Sequence, residues 1–277
     1  MRPFYGFFFW VNVANLQYNC DIRIFNQEIK FMEVLGIDVG GSGIKGAIVN
    51  VDTGELITER HRIPTPKGAL PEEVANEVAA LVAHFDWKGK VGCGFPAIIS
   101  NGMARSHGNI HKSWLGVRVD HLFATATGLS FSVANDADAA GLAEMSFGVG
   151  KGKKGVVIMI TIGTGLGSAV FFDGVLVPNV ELGTVPYKKY ERFEYYAADS
   201  VRKKEALTYK EWGSRFNSFL EFVERTFSPD LIVLGGGASK KIKKYQDQLI
   251  LKTPVLPAAY QNNAGIIGAA MLATLKK

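Results

Sequence analysis

Two segments in different halves of this 277-residue chain repeat one pattern: apolar strand, glycine-rich turn, apolar strand. The first is Gly36-Ile37-Asp38-Val39-Gly40-Gly41-Ser42-Gly43-Ile44-Lys45-Gly46, and the second is Ile160-Thr161-Ile162-Gly163-Thr164-Gly165-Leu166-Gly167-Ser168-Ala169. That echo predicts two similar lobes with a cleft between them. Around the hairpins, strands alternate with helices, which predicts α/β architecture with sheets covered on their faces. Strands are expected at 33–38, 44–51, 55–63, 90–94, 131–134, 155–162, 166–172 and 230–234, with loops from the fourth of these to about 118. Helices are expected at 71–85, 119–127, 136–146, 195–204, 208–226, 238–248 and 263–276. The first helix opens at Pro71 with Glu72 and Glu73 in its first turn, where acids suit the positive end of the helix dipole.

Hydrophobic residues at 47% supply a real core, and charged residues at 21% exclude a disordered chain. Cys20 and Cys93 are too few for a disulfide framework or a four-cysteine zinc site, so a reducing cytoplasm is expected. The net charge of +5 attracts polyanions of any kind and does not by itself separate nucleic acid, membrane and other anions. Residues 1–31 differ from the rest. The aromatic run from Phe4 to Val11 is far too short for a bilayer span and lacks the basic start and cleavage site of a signal peptide. A strand pattern begins just after Met32, so 1–31 is expected to be an atypical extension, either an annotation artefact upstream of a true start at Met32 or a genuine but weakly structured segment.

Each glycine turn admits two readings. Glycines at Gly40, Gly41 and Gly43, with Ser42 and Lys45 beside them, suit a tight hairpin, and equally let backbone N–H groups approach a phosphate. Asp38 at the end of the first strand faces the same place and suits Mg²⁺ held through water. The segment is not a P-loop, because the Gly-Lys-Ser/Thr ending before a helix is missing. In the second turn, Thr161 and Thr164 add hydroxyls to Gly163 and Gly165. A third segment, Leu231-Ile232-Val233-Leu234-Gly235-Gly236-Gly237, runs from a buried strand towards a helix N-terminus, again suited to phosphate or a nucleoside. Three such turns at strand ends in one α/β chain point to a polyphosphorylated ligand.

Between the first two turns, Val133-Ala134-Asn135-Asp136-Ala137-Asp138 carries a strand into a helix. Asp136 fits a helix cap, worth about 1 kcal/mol, and fits equally a carboxylate facing the cleft as a general base. Asp138, on another helical face, reads as structural. Basic residues cluster at Lys151, Lys153 and Lys154; at Lys188, Lys189 and Arg192; at Arg202, Lys203 and Lys204; and at Lys240, Lys241, Lys243 and Lys244. The last group falls on the first turns of the expected helix 238–248. Lysines oppose the dipole there, unless a long polyanion runs past them; a solvated helix face is the other reading.

With these motifs in order, residues 33–277 resemble the ROK family of sugar kinases and repressors, and within it the polyphosphate-dependent glucokinases. The resemblance implies an actin/hexokinase-like (ribonuclease H-like) duplicated two-lobe fold with a central cleft. It implies a smaller sugar/phosphate lobe of 32–150 plus 263–277 and a larger lobe of 151–262. It makes 40–45, 161–165 and 235–237 the phosphate and nucleotide segments, and Asp136 the base for the 6-hydroxyl of glucose. Asn109, Lys112, Asn135, Glu181 and Thr184 match sugar-binding positions, Trp114 lies in the same matching loop, and Glu144 also has a counterpart. Two departures stand out. Thr184 replaces a sugar-contacting His, and the stretch from Thr184 to Tyr196 lacks the Cys-rich zinc cluster of many members, so no zinc is expected.

The implied partners are a hexose, polyphosphate or ATP as donor, Mg²⁺, and a second copy in a homodimer, with no nucleic acid and no membrane. Two rivals are an ATP-only kinase for mannose or an amino sugar, and a sugar-sensing regulator. Residues 1–31 show no helix-turn-helix pattern of the kind such regulators carry.

Overall fold

The computed structural model describes residues 32–108 and 110–275. Expectations for residues 1–31, Asn109 and the last two lysines therefore lie outside the described residues.

The first hairpin forms as read: β1 (Glu33–Gly40) pairs antiparallel with β2 (Gly43–Asn50) in a single unbroken register. The expected strand 55–63 is instead two short strands, β3 (Glu55–Leu56) and β4 (His61–Ile63), both paired to β2. After helix α1 (Pro71–His84) come β5 (Val91–Phe95), the small hairpin β6 (Ile99–Ser100) and β7 (Met103–Ala104), helix α2 (Val119–Thr127), β8 (Phe131–Asn135) and helix α3 (Asp136–Ser146). That small hairpin lies where only loop was expected. The sheet order is β3-β2-β1-β5-β8, with β1, β5 and β8 parallel. α2 stops at Gly128, whose φ of 72° is the left-handed conformation a helix end uses.

The second block repeats this plan. β9 (Val156–Ile162) and β10 (Leu166–Phe172) make the second hairpin, extended by β11 (Val175–Val177). Helices α4 (Glu194–Ala197), α5 (Asp199–Lys204) and α6 (Tyr209–Phe227) follow, then β12 (Leu231–Gly235), helix α7 (Gly236–Ser239), β13 (Val255–Pro257) and helix α8 (Ala264–Leu272). This sheet runs β11-β10-β9-β12-β13. An antiparallel hairpin beside parallel strands thus recurs in the same spatial order.

Three apolar clusters define five layers. α1 and α2 cover one face of the first sheet around Leu81, Phe95, Trp114 and Phe123. α6 covers the outer face of the second around Trp212, Phe216 and Phe219. Between the sheets lie α3 and α8, packed through Ala140, Ala143, Ile266 and Ala270 against Ala47, Val49, Met159 and Phe171. The contact is nearly backbone on backbone: a Cβ on Gly92 would meet the carbonyl of Ala269, and one on Gly268 that of Ala139. Only glycine admits so close an approach.

Two expected helices are corrected. The stretch 195–204 breaks at Ala198, which is extended with ψ 156°; the carbonyls of Ala197 and Ala198 there accept the Trp212 indole N–H at 2.9 and 3.2 Å. The stretch 238–248 is not a continuous helix. α7 ends at Ser239, capped by Lys240, and two single 3₁₀ turns follow at Ile242–Lys244 and Gln246–Gln248. Like charges at 240, 243 and 244 oppose a helix, while the buried Tyr245 ring pins the segment to the core, its hydroxyl donating to the Ala238 carbonyl at 3.3 Å. The four lysines thus follow a short helix instead of opening a long one, and the argument from an opposed dipole falls away. Among the described residues, no helix is long and apolar enough to cross a membrane.

Candidate active site

The strand ends of both sheets open onto one cavity of about 640 Å³. Gly41 and Ser42 of the first turn, Thr161 to Gly167 of the second, and Gly236 and Gly237 of the third all line it. So do Asn135, Asp136, Glu181 and Thr184. Three distant stretches of sequence therefore present glycine turns to the same space. Gly236 has a φ of 76°, and a Cβ there would strike the backbone of Ile162, so the third turn closes on the second only as glycine.

The helix cap on α3 belongs to Asn135, not Asp136. The Asn135 side-chain oxygen accepts the N–H groups of Ala137 and Asp138 at 2.8 and 3.2 Å. Its amide nitrogen donates to the Ala97 carbonyl and to Glu181 Oε1, each at 3.2 Å. Relieved of capping, Asp136 sits half-buried at the cavity floor with its Oδ1 on the Ala137 N–H at 2.8 Å. Burial, and then the negative charges of Asp38 and Glu181, push its carboxyl up to about 7. Burial likewise raises Glu181, helped by Glu194 and opposed by Arg192. A carboxyl poised near neutrality in a polar cavity is suited to accepting a proton.

Other expected residues lie outside the wall. Asp38 pairs with Lys45 at 3.0 Å, so Lys45 meets a carboxylate, and neither lines the cavity. Gly40 and Gly43 frame the first turn, and Gly235 ends β12, all three behind the lining. Lys112 stands in a 3₁₀ turn away from the cavity, and Trp114 is a core residue whose indole N–H donates to the Ala69 carbonyl at 2.8 Å. Glu144 is buried at the far end of α3, accepting the N–H groups of Val149, Ala259 and Tyr260.

Among the lining residues that the motif reading did not place at the site are Arg192 and Glu194. They pair at 3.3 Å, and Glu194 Oε2 accepts the Leu166 N–H at 3.2 Å, tying the pair to the second hairpin. Arg192 had stood out only as part of a basic cluster, and Glu194 only by its position in the stretch scanned for cysteines. Aromatic packing organises that stretch: Tyr187 stacks on Phe193 at 3.8 Å, and Tyr196 meets Tyr187 and Tyr190.

Comparison with known proteins bears on the family of the chain. The polyphosphate glucokinase of Mycobacterium tuberculosis (strain CDC 1551 / Oshkosh) is 46% identical over 237 residues, covering 85% of this chain and 89% of that protein. The polyphosphate glucokinase of Mycobacterium leprae (strain TN) is 41% identical over 240 residues, covering 86% and 74%. The crystal structure of the inorganic polyphosphate/ATP-glucomannokinase from Arthrobacter sp. strain KM superposes with a TM-score of 0.85 at 44% identity, covering 88% of this chain and 99% of that one. Residues 34–180 match the ROK family as a whole. A family match over more than half of the chain and a relative 46% identical over 85% of it show that the chain belongs to the ROK family.

Proposed function

We propose that the protein is a glucokinase that moves the terminal phosphoryl group of polyphosphate or ATP onto the 6-hydroxyl of glucose. The observation that carries this is the convergence of three glycine turns, Asn135, Asp136 and Glu181 on one cavity. Glucose is held by Asn135, Glu181, Glu194 and Thr184. Asp136 takes the 6-hydroxyl proton as the O6–P bond forms and the bond from phosphorus to the departing phosphate breaks. The turns at 41–42 and 163–165 cradle the transferred group, and positioning with charge stabilisation supplies most of the rate in such transfers. Thr184 reaches less far than a His, and its hydroxyl already donates to the Glu181 carbonyl at 2.8 Å, so it shapes the Glu181 loop as well as the sugar wall.

The residues present fit Mg²⁺. Asp38, behind the cavity wall and paired with Lys45, offers a hard oxygen that would reach the ion through water, and no cluster of three ligating side chains exists among the described residues. One carboxylate with water and substrate phosphates is a usual Mg²⁺ arrangement. Mg²⁺ held at Asp38 would offset charge on the phosphoryl oxygens. The division into lobes 32–150 plus 263–277 and 151–262 belongs to the same reading, and the packing of α8 on β1 and β5 supports returning the C-terminal helix to the first lobe. Counted along the chain, that first lobe is the longer. A homodimer in the cytoplasm completes the reading, with size-exclusion chromatography as its check.

Polyphosphate use finds support just beyond α7. A depression of about 650 Å³ lies there, with Lys240, Arg60 and one acid, Glu59, in its lining, and Lys241, Lys243 and Lys244 follow in the chain outside that lining. It gives a long anion somewhere to run. The test is glucose 6-phosphate formation with Mg²⁺ and each donor in turn. The reading expects turnover with polyphosphate, and it expects Asp136→Asn to lose at least about 10³-fold in kcat while still binding glucose. Near-normal turnover by that variant sinks the assignment of the base.

A further inference from the structure

Behind the sugar end of the cavity, one asparagine joins the two halves of the chain. Asn179 follows β11 in the second half, and Ile99 opens β6 in the first. The Asn179 side chain accepts the Ile99 N–H at 2.9 Å through Oδ1 and donates to the Ile99 carbonyl at 2.9 Å through Nδ2. A side-chain amide thus pairs with a backbone unit as a neighbouring strand would. The Asn179 N–H in turn donates to Asp138 Oδ2 at 2.8 Å, so a helix of the middle layer holds the joint. Asp138 is 1% exposed, and its Oδ1 is buried without a partner, which makes the Asn179 bond the main outlet for that carboxylate.

The two ends of this joint lead straight to the cavity. Pro96, Ala97 and Ile98, next to Ile99, line one wall, and Glu181, two residues past Asn179, lines the other. The rest of the Glu181 loop is pinned to the second sheet, where the Ser168 hydroxyl donates to the Val180 carbonyl and accepts the Leu182 N–H at 2.9 Å. The Asn135 amide, which spans Ala97 and Glu181, ties the Glu181 side chain to the opposite wall, and Asn179 ties the backbone of that loop to it. The Asn179 backbone is left-handed, with φ 62°, a conformation asparagine tolerates better than most residues.

We propose that Asn179, held by Asp138, is a positioning residue that sets the spacing between Glu181 and the Pro96–Ile98 wall and so tunes hexose affinity and discrimination. This rests on the reading above that the cavity takes a hexose. The informative substitution is Asn179→Gly, which keeps the left-handed backbone and removes the amide. Glucose binding by calorimetry and steady-state kinetics with glucose, mannose and each donor are measured on the full chain.

The expected result is a rise of about tenfold in the glucose Kd and KM. The glucose-to-mannose ratio of kcat/KM should change, with donor KM within about twofold and a nearly unchanged Tm. A second variant, Asp138→Ala, should show the same split, and the double variant should be no worse than the worse single one, because the two act as a unit. Unchanged glucose affinity in Asn179→Gly overturns the proposal, as do equal losses for sugar and donor, or additive effects in the double variant. Failure of the wild-type protein to bind glucose is a different outcome and overturns the underlying reading.

Discussion

The two glycine hairpins share strand order and backbone course, yet their turns are held by different chemistry. The first is ionic. Asp38 and Lys45 pair across β1 and β2, the Arg62 guanidinium donates to the Ser42 carbonyl at 2.5 Å, and the Thr65 hydroxyl reaches the Gly40 carbonyl at 2.5 Å. The second turn is held mainly by neutral donors. Ser200 donates through its hydroxyl to the Thr164 carbonyl at 2.5 Å and through its N–H to the Gly163 carbonyl at 3.2 Å, and the carboxylate of Glu194 holds the N–H of Leu166. One duplicated scaffold has thus been given two electrical characters. The first hairpin places a fixed charge near Asp136, while the second offers the turn backbone and hydroxyls to an incoming phosphate.

That contrast is open to direct attack. Asp38→Asn should cost about 10²-fold in kcat, and it should also move the acid limb of kcat/KM to lower pH. With wild type, activity falls as pH drops through about 7 because Asp136 must be ionised to act, and the Asp38 charge is part of what raises it. A pH profile of both proteins decides; a limb that stays in place breaks the claim that the first hairpin sets the base. Ser200→Ala should instead raise donor KM severalfold through a looser second turn, with the acid limb unmoved.

Stability gives a smaller signal with a definite sign. Asp136 holds its proton more tightly when folded, about 7 against 3.8. Its stabilising contribution is complete below 3.8 and is lost as pH rises through about 7. Asp136→Asn should therefore melt a few degrees higher than wild type at pH 8, with the gap closing towards pH 4, as a pH series of melting curves would show. The smallest effect expected is from Lys240→Ala: a loss of up to about threefold with long polyphosphate, smaller at high salt, and none with ATP.

Legibility followed how local the cause was. α2 at 119–127 and α3 at 136–146 match their sequence expectations at both ends, because Gly128 and the Asn135-Asp136 entry are local stop and start signals. The stretch 238–248 misled because Tyr245 is claimed by the second core, a tertiary choice invisible in the helical pattern. β11 and β13 are three-residue edge strands, too short to show a period. Within the site, glycines, Asn135, Asp136 and Glu181 were readable as motifs. The place of Arg192 and Glu194 at the site was not, since it depends on how an aromatic cluster folds the preceding segment back. The capping question for Asp136 was settled only by seeing which oxygen the α3 N–H groups choose.

The middle layer also has a consequence for how the protein is made. α8 (Ala264–Leu272) packs against β1, β5 and α3, yet it lies more than two hundred residues after β1. A ribosome adding roughly 5–20 residues per second finishes the first sheet long before it delivers the helix that sheet needs. Until then the Gly36 and Gly92 face stands bare. The first half therefore closes only once α8, more than two hundred residues later, has been delivered.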